Sequence, residues 1–288
     1  MDSKSPKGIL VTGAPRSGTS WVGRMLSLAS DTNYLHEPLN NQFAVKTFHE
    51  EPFPYWFMYL SKDNQDAYLK KISRMIGLQP GPRISKKGKQ IPVIKDPIAV
   101  FSSEWLANTY DLDVVFLVRH PGAVIKSILT LEWNTKPKIF FRQRPLMDAY
   151  LSEYEAELRE YQNLDNKLAQ AALMWKMIYH AAHIFQERNP NWIFMRHEDL
   201  CGDPVEKFST IFSNIGLDFT EQIGQDIMDY SSSSNPVQPA NHWDIRRNSR
   251  SNIDAWHNYF SRDQISEIRA LVEPISSHYY QDNEWPLA

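Results

Sequence analysis

Near the N-terminus, Gly13-Ala14-Pro15-Arg16-Ser17-Gly18-Thr19-Ser20 follows the apolar run Gly8-Ile9-Leu10-Val11-Thr12. A loop that holds a nucleoside triphosphate reads G-x-x-x-x-G-K-[ST], its lysine reaching the β- and γ-phosphates and its hydroxyl holding Mg²⁺. Both glycines and the final hydroxyl residue are present, but Thr19 stands where the lysine belongs and the only cation is Arg16. Backbone N–H groups at a helix N-terminus still cradle a phosphate without that lysine. The expected ligand is therefore a phosphate-bearing nucleotide whose transferable group is not a γ-phosphoryl. A second constellation begins after Val114–Val118, where Arg119-His120-Pro121-Gly122 leads into a helix carrying Ser127. A cation at the C-terminal end of a strand lies where open α/β sheets bind ligands. Ser127, two helical turns on, can face the same crevice.

These groups need a scaffold that brings strand ends together, and the sequence alternates strand-like and helical patterns throughout. That alternation predicts an α/β fold, one P-loop-like domain over residues 1–288 with a central parallel sheet and helices on both faces. The expected strands are Gly8–Thr12, Asn33–Leu35, Ile91–Lys95, Val114–Val118 and Trp192–Met195. Ile91–Ile94 and Val114–Val118 are short apolar runs suited to central parallel strands. Helices are expected over Gly18–Ser30, Ala99–Tyr110, Pro121–Leu131, Asp165–Arg188 and Ser261–Tyr279, the last opened by a capping box of Ser261 and Gln264. Residues 38–59, 77–89 and 231–253 read as irregular segments on the substrate side, the first carrying Phe43, Phe48, Phe53, Tyr55, Trp56 and Phe57. Such long segments in a compact α/β chain are usually lids or binding loops.

Composition narrows the function classes. The chain has 288 residues, 42% hydrophobic and 23% charged, with a net charge of −3, so no global basic field suggests nucleic acid. A single cysteine, Cys201, excludes an internal disulfide framework and a multi-cysteine metal cluster. No apolar run approaches the roughly 18 residues of a membrane span. The N-terminal residues run straight into the first strand with no room for a signal peptide, and a cytoplasmic location is expected.

With both constellations in view, the chain resembles the superfamily of sulfotransferases that use 3′-phosphoadenosine-5′-phosphosulfate (PAPS). The family's Pro-[Lys/Arg]-Ser-Gly-Thr-[Thr/Ser]-Trp loop corresponds to Pro15-Arg16-Ser17-Gly18-Thr19-Ser20-Trp21. The resemblance implies that this loop holds the 5′-phosphosulfate, while Arg119 and Ser127 hold the 3′-phosphate. Arg196-His197-Glu198-Asp199-Leu200 is similar to the family's Tyr-Glu-Asp-Leu segment, with His197 in place of a tyrosine near the adenine. Arg247-Asn248-Ser249-Arg250-Ser251 is similar to the basic loop that closes over the 3′-phosphate, with Arg247, Ser249 and Arg250 as alternative contacts.

For the catalytic base, the small-molecule branch carries Lys-Thr-His after its third strand, and here the run is Lys95-Asp96-Pro97. Proline cannot accept a proton. The Lys-Asp-Pro form resembles the carbohydrate and protein-tyrosine branches, in several of which a glutamate after the second strand is the base, and His36-Glu37-Pro38 fits that description. Glu37 is the expected base, with His36 and His242 as rivals. Arg16 and Lys95 are the expected cations for charge developing on the leaving phosphate. No metal is expected. Trp133, Trp243, Tyr259 and the aromatic residues of 38–59 are candidates for the acceptor pocket. Expected partners are the acceptor, a carbohydrate, glycolipid or small metabolite with a hydroxyl, and at most a second copy of the chain as a homodimer. The alternatives are a kinase-like phosphotransferase, sulfation of a peptide tyrosine, or a nucleotide-binding module without catalysis.

Overall fold

The computed structural model describes residues 7–50, 53–81, 90–133, 137–161, 165–237 and 244–286. Five parallel strands form one sheet: β1 (Gly8–Gly13), β2 (Thr32–His36), β3 (Ile91–Lys95), β4 (Leu112–Val118) and β5 (Ile193–Arg196), in the order β2-β3-β1-β4-β5. The register pairs Val11 with both Lys95 and Val115, so the C-terminal ends of the three central strands lie side by side.

Burial on both faces explains why these strands are apolar nearly throughout. Ile9, Val11, Val93, Val115 and Leu117 point to one face, where α1 (Thr19–Leu26) packs. Leu10, Ile94, Val114 and Phe116 point to the other. There the cover includes α2 (Asn41–Phe48), α3 (Leu69–Ile76), α4 (Ser103–Tyr110) and α5 (Pro121–Thr130). Three short helices, α6 (Lys138–Phe141), α7 (Arg144–Leu146) and α8 (Glu155–Tyr161), precede the long α9 (Lys167–Arg188). After β5 come α10 (His197–Gly202), α11 (Pro204–Ile215), α12 (Glu221–Ser231) and α13 (Arg262–Val272). The expected doubly wound α/β architecture is the one observed. Among the described residues no helix is long and apolar enough to cross a membrane.

Several expected boundaries need correction. α1 ends at Leu26, not Ser30, because Ser27 turns its hydroxyl back onto the Arg24 carbonyl (2.8 Å) and the backbone tightens there. The helix expected from Ala99 opens as a 3₁₀ stretch, Pro97–Ser102, and becomes α-helical only at Ser103. The last helix has the expected Ser261–Gln264 capping box but ends at Val272, because Pro274 cannot continue it. The segment 38–59 is not irregular throughout: the Asn40 side chain accepts the Gln42 N–H and starts α2. Residues 231–253 begin with the last residue of α12 and include a 3₁₀ turn, Arg250–Asn252, and positions 238–243 lie outside the described residues, as do 82–89 of the segment 77–89.

The strand order also locates the crevice. The chain leaves β1 toward β2 on one side and leaves β4 toward β5 on the other, so the switch point falls between β1 and β4.

Candidate active site

Each strand delivers one functional group at or just beyond its C-terminal end: the loop 14–18 after β1, Glu37 after β2, Lys95 closing β3, Arg119 after β4 and His197 after β5. Together they line a cleft of about 930 Å³. Within it are Arg16, Gly18, Thr19, Ser20, Trp21, Glu37 and Lys95, with Arg119, Ser127, His197, Arg247 and Ser249. Ser17, within the loop, is buried and is not among the lining residues. Arg250 does not line the cleft: it is exposed and donates from Nη2 to the Gly202 carbonyl (3.2 Å). His242 and Trp243 lie outside the described residues.

The loop gathers backbone and cationic groups at the start of α1. Gly18 caps α1 at φ 98° and provides no side-chain bond to the first amides of the helix. Arg16 itself sits at φ 71°, a left-handed conformation that costs a non-glycine residue about 1–3 kcal/mol. Its Nε donates to Ser127 Oγ (2.9 Å), and Arg119 Nη1 donates to the Arg16 carbonyl (2.9 Å), so the two constellations meet across the switch point. Burial pushes the Arg16 guanidinium down to about 10, with the charges of Arg247 and Arg119 adding to the effect. Burial and Arg119 likewise lower Arg247. Three cations held this close repel one another unless an anion sits among them. Ser17 Oγ, Arg119 Nε and His197 Nδ1 are buried polar atoms with no hydrogen-bond partner, each a loss of about 1–3 kcal/mol if left so.

Arg119 is held by its backbone. The Trp175 indole N–H donates to its carbonyl (2.9 Å), and its N–H donates to the Tyr179 hydroxyl (3.2 Å), which in turn donates to the Leu117 carbonyl (3.1 Å). Next along, His120 N–H donates to Glu198 Oε1 (3.0 Å), and the Tyr280 hydroxyl donates to Glu198 Oε2 (3.0 Å). The His120 ring caps α5 through Nδ1 and stacks on Trp256 (centroids 4.5 Å apart). The sequence reading did not single out Glu198, Trp175 or Tyr179 for this work, because their contacts come from distant parts of the chain.

Glu37, also in the cleft, stands at φ 48° and forms a buried ion pair with Lys95. Its N–H donates to the Lys95 carbonyl (2.7 Å), and Asn40 Nδ2 donates to its Oε2 (2.6 Å). Burial raises the Glu37 carboxyl, but the Lys95 charge and hydrogen bonds from Lys95 and Asn40 outweigh it and hold the group below the usual range. His36, beside it, is lowered to about 4 by burial and the Lys95 charge. Asp96 is wholly buried and spends its carboxylate on two backbone donors, Leu39 N–H (2.6 Å) and Ile98 N–H (2.9 Å), locking the Glu37 loop to the end of β3. A carboxylate used this way is not available to Mg²⁺. Among the described residues no three His, Cys, Asp or Glu side chains gather to hold a metal ion.

Comparisons with known proteins bear on the family and the fold. A family model described as the sulfotransferase domain matches residues 6–281. The chain belongs to the sulfotransferase domain family. No curated protein matches it by sequence. Solved structures that share the fold include two sulfotransferase domains. One is a sulfotransferase domain from the curacin biosynthetic pathway, 15% identical, covering 97% of this chain and 99% of that one, with a TM-score of 0.54. The other is a sulfotransferase domain from the Synechococcus PCC 7002 olefin synthase, 15% identical, covering 98% of both chains, also with a TM-score of 0.54.

The aromatic residues of this sulfotransferase domain divide by burial. Phe53 and Phe57 are core side chains, whereas Phe43 and Trp56 line the cleft with Trp133 and Trp256. Tyr259, a sequence candidate for the acceptor pocket, is 47% exposed and does not line the cleft. Trp256 depends on a glycine: a Cβ at Gly122 would collide with its ring. Gly122→Ala is expected to cost about 1–3 kcal/mol, as overpacking does, measured by urea unfolding. An unchanged unfolding midpoint would mean that Trp256 has room to move.

Histidine burial makes a further prediction. His120 is pushed down to about 3 by burial, with the charges of His257, Arg196 and Arg119 adding to it. Below pH ~6.5 the unfolded chain takes up a proton that folded His120 refuses, so this residue's contribution falls as pH falls, by about 1.4 kcal/mol per pH unit. Burial raises Asp96 to about 7, and that works in the opposite sense. The difference between wild type and His120→Asn isolates the histidine: the wild type should lose stability relative to the variant between pH ~6.5 and ~4.5. Parallel pH profiles for the two proteins would refute the assignment.

Proposed function

We propose that this sulfotransferase domain transfers the sulfuryl group of PAPS to a hydroxyl acceptor, with Glu37 as the base. The observation that carries the reading is the meeting of Arg16, Arg119, Ser127 and Arg247 around a phosphate loop that lacks the kinase lysine. In this reading the α1 amides, Ser17, Thr19 and Ser20 receive the 5′-phosphosulfate, and Trp21 and His197 flank the nucleotide. Arg119, Ser127 and Arg247, with Ser249 beside them, bind the 3′-phosphate. Arg250 is left as an outer residue of the same segment.

Glu37 accepts the acceptor's hydroxyl proton as that oxygen bonds to sulfur and the bond from sulfur to the 5′-phosphate oxygen opens. A carboxylate so placed typically contributes 10²–10⁴-fold. Lys95 and Arg16 neutralise the charge left on the phosphate, an effect that a water-poor site strengthens. Lys95 is well suited to this because it is buried and already aligned by Glu37. The Lys-Asp-Pro run in place of Lys-Thr-His supports a reading nearer the glutamate-base branch than the histidine-base one.

Calorimetry with 3′,5′-bisphosphoadenosine, and separately with ATP and Mg²⁺, tests the donor. The bisphosphate should bind at least ~100-fold more tightly, since two charge-assisted contacts to the 3′-phosphate are each worth about 1.5–3 kcal/mol. Preference for ATP with Mg²⁺ would return the chain to the phosphotransferase alternative.

A further inference from the structure

The surroundings of Glu37 have a consequence for the acceptor. Every described polar side chain packed against its carboxylate is already engaged. Lys95 and Asn40 bond to Glu37 itself, and His36 Nδ1 lies in a hydrogen bond with the Tyr34 hydroxyl (3.1 Å). Among the described residues the cleft also carries the apolar side chains Phe43, Trp56, Ile98, Ala123, Trp133 and Ile139. Trp56 and Trp133 meet edge to face, centroids 6.3 Å apart at 79°, and so form two perpendicular apolar surfaces. Among the described residues, the polar side chains Arg24, Gln42, Thr130, Glu132 and Lys138 that also line the cleft are exposed and belong to the solvent rim.

A sugar buried here would bring several hydroxyls, whereas among the described residues the walls are mainly apolar and the polar side chains sit at the exposed rim. Buried polar groups without partners are selected against strongly, whereas apolar walls reward an apolar body. Resting on the transfer proposed above, we infer that the acceptor is a single hydroxyl on an apolar body, of the phenol or aliphatic-alcohol class, and not a glycan. This narrows the acceptor classes that the sequence left open.

The test compares 1-naphthol, decan-1-ol and methyl β-galactoside as acceptors with PAPS. It is paired with a tryptophan-fluorescence titration of 1-naphthol into the bisphosphate complex. The apolar alcohols should show KM values about 100-fold or more below that of the glycoside, the range that an unmatched polar site discriminates. Trp133→Ala, and independently Trp56→Ala, should raise the KM for 1-naphthol about tenfold, as loss of a buried aromatic surface does. Bisphosphate affinity should stay unchanged in both, and Trp133→Phe should restore most of the loss. A lower KM for the glycoside, or no saturable quench by 1-naphthol, overturns the inference while bisphosphate binding keeps the donor reading intact. Absent bisphosphate binding overturns the donor reading itself.

Discussion

Glu37→Gln should cut turnover by about two to four orders of magnitude while leaving bisphosphate affinity within a few-fold of wild type. The amide keeps the shape of the side chain, and its oxygen still accepts from Lys95 or Asn40, so the loop stays where Asp96 and the Lys95 carbonyl hold it. What disappears is the proton acceptor, which acts only in the chemical step. Stopped-flow or steady-state measurement of kcat, set beside calorimetry, separates the two effects. Near-wild-type turnover would move the base to His36 or His242. The pH profile gives an independent check. Because Lys95 holds the Glu37 carboxyl low, the base stays ionised through neutrality, and kcat/KM should show no acid limb near the ordinary histidine value of about 6.5.

Arg119→Met is the second large effect. Its guanidinium sits across the switch point from the loop, with Nη1 on the Arg16 carbonyl and Nε buried without a partner. Losing two charge-assisted contacts to a phosphate should weaken bisphosphate binding by about 10²–10³-fold. The unliganded protein should change by no more than about 1 kcal/mol, because one lost hydrogen bond is offset by relief of repulsion with Arg16 and Arg247. Its backbone, held by Trp175 and Tyr179, keeps the β4 turn in place. Calorimetry and thermal unfolding with and without the bisphosphate measure both quantities. Affinity within threefold of wild type would remove Arg119 from the 3′-phosphate role.

These two residues also show how unevenly the site was legible. Arg119 was visible because a cation at the end of an apolar strand is a local pattern, and so was the loop of Arg16. Glu37 was reached only through the resemblance, since a lone carboxylate after a short strand has no spacing of its own. Asp96 has no local signal for its work, since its two backbone partners lie one on the far side of the β2 turn and one at the start of the 3₁₀ stretch. The helices α3, α11 and α12 escaped the reading altogether. Asp203 and Thr220 do cap α11 and α12 with their side chains, but such caps are common in loops too.

What the sequence determined by itself were the quantities set by neighbours along the chain. Apolar runs specified the strands, Pro and capping residues started the helices, and the missing lysine ruled the γ-phosphoryl out of the loop's expected chemistry. Only the tertiary structure decided what depends on residues far apart. It assembled five strand ends into one cleft, paired Lys95 with Glu37, drew three arginines together, and left Arg250 outside. It also sorted the aromatic residues into core and cleft wall. The physical reason is that periodicity records which face is buried, whereas charge pairing and cleft walls are set by parallel pairing between segments up to a hundred residues apart.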